Sequence, residues 1–207
     1  MKSGTITARP TWEDAEHGGK LKTKESNLKR TEKVEEDPWN KYPGKNVFNF
    51  IITNDDEREI IQQAVQEFRA KTCVRLVQRT SEADFIFIQA LGKTWSFLGR
   101  LGGAQSLSLS ESGVVHKAKV LHMLMHVLGF HHEHCRSDRD KYIRVMKDNI
   151  QNGEVFDPPC RDVFIRTTFA KDENKPVIIP LTPMTIGHAD CLSDLDIDRI
   201  RRLYAGE

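Results

Sequence analysis

No run of about 18 apolar residues exists in this sequence, so no segment of it reads as a membrane-crossing helix. The N-terminal stretch MKSGTITARPTWEDAEHGG also lacks the apolar core of about 7 to 15 residues that a secretory signal needs, and no export signal is expected in the chain as written. An excess of one charge sign is missing too. With 31 Lys and Arg against 30 Asp and Glu, the net charge of +1 supplies no global field, so neither nucleic acid nor an anionic membrane is an expected partner. Cysteine is sparse: Cys73, Cys135, Cys160 and Cys191 are too few and too scattered for a disulfide scaffold. One or two bridges remain open, and the cysteines alone do not fix the compartment. No internal repeat is visible.

What is present suffices for one core, since 207 residues match a single domain with room for a tail. Residues 1–45 carry 18 charged and 10 apolar side chains without a sustained period, and a polar, disordered tail is expected there. From Val47 the pattern changes. VFNFII reads as a strand; beyond Asn54, residues Ile60, Ile61, Ala64, Val65 and Phe68 fall on one helical face, with Asn54 and Glu57 spaced as a capping box. Three further short strands are expected at Cys73–Val77, Asp84–Gln89 and Ser106–Ser110. Residues Lys117–Leu128, free of Gly and Pro and apolar at helical spacing, predict a largely buried helix that Gly129 stops. Between Gln151 and His188 lie five of the eight prolines and little periodicity, which predicts irregular chain, whereas Ser193–Tyr204 (SDLDIDRIRRLY) predicts a capped amphipathic helix.

The chemistry sits at the end of the buried helix. His122 and His126 are four residues apart, so both imidazoles leave one face and can share a cation. Gly129 permits a sharp turn that can bring His132 round as a third ligand. An isolated HxxxH pair is more often two hydrogen-bonded core histidines, but H-x-x-x-H-x-x-G-x-x-H is the ligand skeleton of the metzincins.

The flanking residues narrow this further. GFHHEHCRSDRDKYIRV, from Gly129 to Val145, resembles the astacin pattern G-F-x-H-E-x-x-R-x-D-R-D. FRAKTCVRLVQRT and WSFLGRLGGAQSLSLSESG upstream, and KPVIIPL, IGH and LSDLDIDRIRRLY downstream, resemble astacin segments in the same order. The resemblance covers residues 38–207 and is nearest to the hatching-enzyme branch. It implies an α+β zincin (metzincin-like) fold: an N-terminal mixed sheet with two helices, residues 46–132, and a looser, truncated C-terminal half, residues 133–207, ending in a helix. It also implies one zinc ion on His122, His126 and His132, a protein or peptide substrate or ligand, metalloendopeptidase ancestry and an extracellular location.

Three departures from the family pattern matter. Where astacins follow the first ligand with a glutamate, this chain has Met123. In such sites the metal polarises the scissile carbonyl and acidifies water, and the glutamate moves the proton; a thioether can do neither half of that transfer. The family's S-x-M-H-Y turn beneath the metal has no counterpart between Ile150 and Arg166, and Met184 comes too late to replace it. Finally, Thr94 and Val114 stand where the family has its second cysteine pair, and no cysteine follows Tyr204, which leaves Cys73 either free or paired with Cys191. The resemblance assigns Glu133 to the pocket that receives the processed N-terminus in active astacins. His131 and His134 are expected to be solvated, and Arg136, Asp138, Arg139 and Asp140 to form a structural ion-pair network. Three readings follow: an inactive or strongly impaired zinc-binding astacin relative, an active secreted endopeptidase using another base, or a decayed product.

Overall fold

The computed structural model of the chain describes residues 46–53, 56–109, 115–152, 167, 169–183, 186 and 190–205. All of them fall in one compact unit, Val34–Glu207. The expected tail, Asn54, Val114, Cys160 and Met184 lie outside the described residues.

Alternation of inward Phe48, Phe50 and Ile52 makes β1 (Val47–Ile52) a strand with one face in the core. Helix α1 (Arg58–Lys71) then buries Ile61, Ala64 and Phe68. Its N-cap is Glu57, with no side-chain cap bond, so the expected capping box with Glu57 inside the first turn is not what starts it. Strands β2 (Arg75–Gln78), β3 (Phe85–Gln89) and β5 (Ala104–Leu109) follow, displaced by one or two residues from their expected positions. The sequence reading missed β4 (Thr94–Ser96), a three-residue strand too short to show alternation. The sheet order is β2-β1-β3-β5-β4, parallel except for the antiparallel edge strand β4.

Helix α2 (Lys117–Val127) packs against α1 and against β4 and β5. Val120, Met123, Leu124 and Val127 recur three and four residues apart and are at most 1% exposed, which seats this stripe in the main core. The helix ends in a Schellman motif: Gly129 N–H donates to His126 O at 2.8 Å and Phe130 N–H to Met125 O at 3.1 Å. Gly129 has φ +92°, a conformation that a side chain would strain, so the stop read from the sequence has a backbone cause.

Beyond it the chain is irregular. Two short 3-10 turns separate α2 from β6 (Ile143–Val145) and a third follows that strand; β6 pairs antiparallel with β7 (Ile178–Pro180), and this small sheet covers a second core of Ile150, Ala170, Val177 and Ile178. Helix α3 (Asp194–Tyr204) starts from a complete capping box between Ser193 and Asp196, as its sequence predicts. Ile200 and Tyr204 return to the main core, where the Tyr204 ring meets Phe48 edge-on at 5.5 Å.

A buried carboxylate ties the helices together. Glu67 of α1 accepts from Leu192 N–H at 2.7 Å, just ahead of α3, and pairs with Lys71 at 3.1 Å and with Lys117 of α2 at 3.0 Å. Burial pushes its carboxyl up, but the Leu192 amide and the two ammonium groups outweigh that and hold it below the usual carboxylate value.

Candidate metal centre and cleft

Helix α2 carries two ring nitrogens and its terminal turn carries the third. His122 Nε2 and His126 Nε2 are 2.9 Å apart, His126 Nε2 and His132 Nε2 2.9 Å, and His122 Nε2 and His132 Nε2 3.1 Å. Three imidazole nitrogens this close together can be shared by one ion held through bonds of about 2.0–2.1 Å. His126 Nδ1 lies 2.8 Å from Phe130 O. A proton on Nδ1 makes that hydrogen bond and leaves the Nε2 lone pair for a metal. The backbone holds the same region from the sheet side, where Gly99 N–H donates to His126 O at 2.9 Å.

A second grouping, His132, His134 and Cys135, is also close enough to suggest a metal. Cys135 is in a disulfide, however, and a disulfide sulfur offers no thiolate. Cys73 and Cys191 are free, which resolves the alternative left open for Cys73.

The three histidines open onto a cleft of about 760 Å³. Its apolar walls come from Leu121 and Met125 of α2, Ile143 and Ile178 of the small sheet, and Leu192 and Leu195 around the start of α3. Met123 is not among the residues that line it; at 0% exposure it packs in the main core. The carboxylates lining the cleft among the described residues are Glu133 and Asp196. Both are engaged: Asp196 accepts from the Ser193 backbone at 3.0 Å and its hydroxyl at 2.7 Å, and Glu133 takes a two-pronged pair from Arg199, with one contact at 3.0 Å.

Glu133 therefore has a partner that sequence reasoning did not supply, the Arg199 guanidinium of α3, with Arg136 at 3.6 Å beside it. Arg199 stands next to Ile200 of the buried stripe, and this flanking place on an amphipathic helix was the signal available. His131 is exposed as expected. His134 is not: it is half-buried and its ring stacks on that of His132 at 5.2 Å, because the 3-10 turn Glu133–Cys135 folds it back over the third candidate ligand. The expected ion-pair network is present, with Arg136 on Asp138 at 2.8 and 3.0 Å and Arg139 on Asp140 at 3.6 Å. The Arg136 guanidinium holds the Asp138 carboxyl below its ordinary value.

A mixed sheet with two helices, the second presenting two histidines that meet a third just past a glycine turn, defines the zincin-type metallopeptidase fold. The family model for the astacin peptidases matches residues 33–158, and the chain belongs to the astacin family. Its structure is similar to that of high choriolytic enzyme 1, a hatching enzyme zinc-protease from the medaka fish Oryzias latipes, with a TM-score of 0.70 and 32% identity over 78% of this chain and 90% of that one. It is 33% identical to the low choriolytic enzyme of Oryzias latipes, over 72% of this chain and 60% of that protein. It is 35% identical to an astacin-like metalloendopeptidase of Gallus gallus, over 70% of this chain and 39% of that protein. The chain thus spans less than two thirds of the length of these two curated relatives. One zinc ion is the family's cofactor, and the clustered Nε2 atoms of His122, His126 and His132 suit it in donor type and spacing.

Proposed function

We propose that this chain is a zinc-binding astacin relative in which peptide-bond hydrolysis is absent or strongly impaired, and that it engages protein or peptide ligands outside the cell. The observation that carries the reading is the pairing of a converged histidine triad with a cleft whose described carboxylates are both engaged. His122, His126 and His132 are the proposed ligands, with Gly129 shaping the turn between the last two. When bound, zinc supplies Lewis-acid polarisation of a carbonyl and acidification of water.

Among the described residues, the carboxylates of the cleft are already engaged and proton transfer is what the site is proposed to lack. Met123 occupies the place in sequence of the family's general base and points into the core, and Glu133 and Asp196 are held by Arg199 and Ser193. A positioned general base contributes roughly 10² to 10⁴-fold, so a rate lower by that factor is expected from its loss alone. The apolar walls that Leu121, Met125, Ile143, Ile178, Leu192 and Leu195 form suit a peptide with a bulky apolar side chain. An extracellular location accords with the Cys135 disulfide, which persists in oxidising surroundings.

The test is chelator-sensitive cleavage of a quenched-fluorescent peptide by the zinc-loaded chain, beside an active choriolytic enzyme at matched zinc content. A rate at least about 10²-fold below the enzyme's is expected. A comparable rate, lost in His131→Ala, would instead favour an active endopeptidase with a substitute base, since His131 also lines the cleft.

A further inference from the structure

Helix α2 delivers two of the three ring nitrogens by its own geometry. The third, on His132, arrives through a turn that contains Gly129 and has no helical ladder to fix it. Both ends of that turn are held by the same distant element. At the start, Leu128 O, a carbonyl at the helix end where the intrahelical ladder runs out, accepts from Tyr204 Oη at 2.7 Å in a buried contact. At the finish, the Glu133 carboxylate, one residue past His132, is gripped by the Arg199 guanidinium through both of its oxygens. Between them, Phe130 O is tied to His126 Nδ1.

We propose that α3 is the positioning element of the metal site, and that Tyr204 and Arg199 are positioning residues that set how tightly zinc is held. The inference rests on the reading of His122, His126 and His132 as the ligand set. Helix α3 is well placed for this role because it is anchored independently of the turn. Its capping box fixes the first turn, Ile200 and Tyr204 are buried, and the residue before its N-cap, Leu192, is bonded to Glu67. The rigid helix therefore splints a turn whose own sequence, Gly-Phe-His-His, specifies only the reversal of direction. Losing such an outer support typically weakens metal binding about 10- to 100-fold, because the ligand must be ordered at the moment of binding.

The experiment uses the full chain and reads zinc affinity by chelator competition and coordination by the visible absorption of the cobalt(II)-substituted protein. The variants are Tyr204→Phe, Arg199→Ala, Arg199→Lys, His126→Ala and Arg202→Ala. Tyr204→Phe removes one oxygen and keeps the ring that packs on Phe48, whereas Arg202 pairs with Asp198 at 2.7 Å on the exposed side of the same helix and serves as the control. Tyr204→Phe and Arg199→Ala are each expected to weaken zinc binding about 10-fold or more and to reduce the cobalt absorption, with Arg199→Lys intermediate because an ammonium cannot present the two-pronged fork. Arg202→Ala should leave both readouts unchanged. Loss of zinc in His126→Ala with wild-type affinity and spectrum in Arg199→Ala and Tyr204→Phe would overturn the positioning role while leaving the ligand set standing. Equal zinc binding by the wild type and His126→Ala would overturn both.

Discussion

Replacing Met123 by glutamate supplies the residue that the astacin resemblance leads one to expect there, yet the structure puts position 123 in the main core, and this conflict yields a quantitative test. The side chain is 0% exposed and lies on the stripe of Val120, Leu124 and Val127, none more than 1% exposed. A fully buried carboxyl has its pKa raised by up to about 3–5 units, from an unfolded value near 4.3. The folded state then resists deprotonation. The penalty is absent below about pH 4.3 and grows by about 1.4 kcal/mol per pH unit above it, reaching about 4 kcal/mol at pH 7. That is a large part of the roughly 5–15 kcal/mol that usually stabilises a domain. Met123→Gln supplies the reference, being polar and similar in size but without a titration. In urea unfolding of the chelated proteins, Met123→Glu should match Met123→Gln to within about 1 kcal/mol at pH 5 and fall about 4 kcal/mol below it at pH 7. Equal stability at pH 7 would refute the burial argument, because a carboxylate would then have reached water or the cleft. The zinc-loaded Met123→Glu protein is expected to regain only part of an active relative's peptidase rate, and full recovery would be equally damaging.

Purified wild-type chain should carry one zinc per molecule by elemental analysis, and His126→Ala should lose it, since two imidazoles remain of three. Gly129→Ala should cost about 1–2 kcal/mol in thermal or urea unfolding, set by the φ of +92° and not by a clash, because no atom lies within 4 Å of an added Cβ. Glu67→Gln should lower stability by about 1.5–3 kcal/mol near neutral pH, as charge-assisted bonds to Leu192, Lys71 and Lys117 weaken. The Glu67 carboxyl is held low in the folded state, so its contribution is complete above the unfolded value near 4.5 and is lost as the pH falls through the lowered folded value. The difference between wild type and Glu67→Gln should shrink accordingly in acid, and a constant difference from pH 7 to pH 3 would contradict the assignment.

The parts of the fold that a linear pattern reveals are those fixed by local chemistry. His122 and His126 share a face because a helix repeats every 3.6 residues, Gly129 is needed by a positive φ, and Ser193 with Asp196 makes a cap within one turn. The apolar face of that helix was legible through Val120, Leu121, Leu124, Val127 and Leu128, but the burial of Met123 was not, because Met123 is three residues from both Val120 and His126 and the spacing fits either face. Strands β4, β6 and β7 were not legible because Thr-Trp-Ser, Ile-Arg-Val and Ile-Ile-Pro are too short for alternation; their pairing is decided by the neighbouring chain. The Glu133–Arg199 pair and the Tyr204–Leu128 bond join residues far apart in sequence, and only the assembled fold sets those distances.

The separation of 76 residues between Leu128 and Tyr204 has a consequence in time. At a synthesis rate of about 5–20 residues per second, the turn carrying His132 leaves the ribosome roughly 4 to 15 s before the tyrosine that holds it. The five-stranded mixed sheet and α2 are all encoded ahead of that turn, so on the proposed role of α3 the two-histidine face of the helix can form while the three-histidine cluster still waits for its support. A growing chain of this kind would present the two-histidine face of the helix first and the supported three-histidine cluster only after Asp194–Tyr204 has emerged.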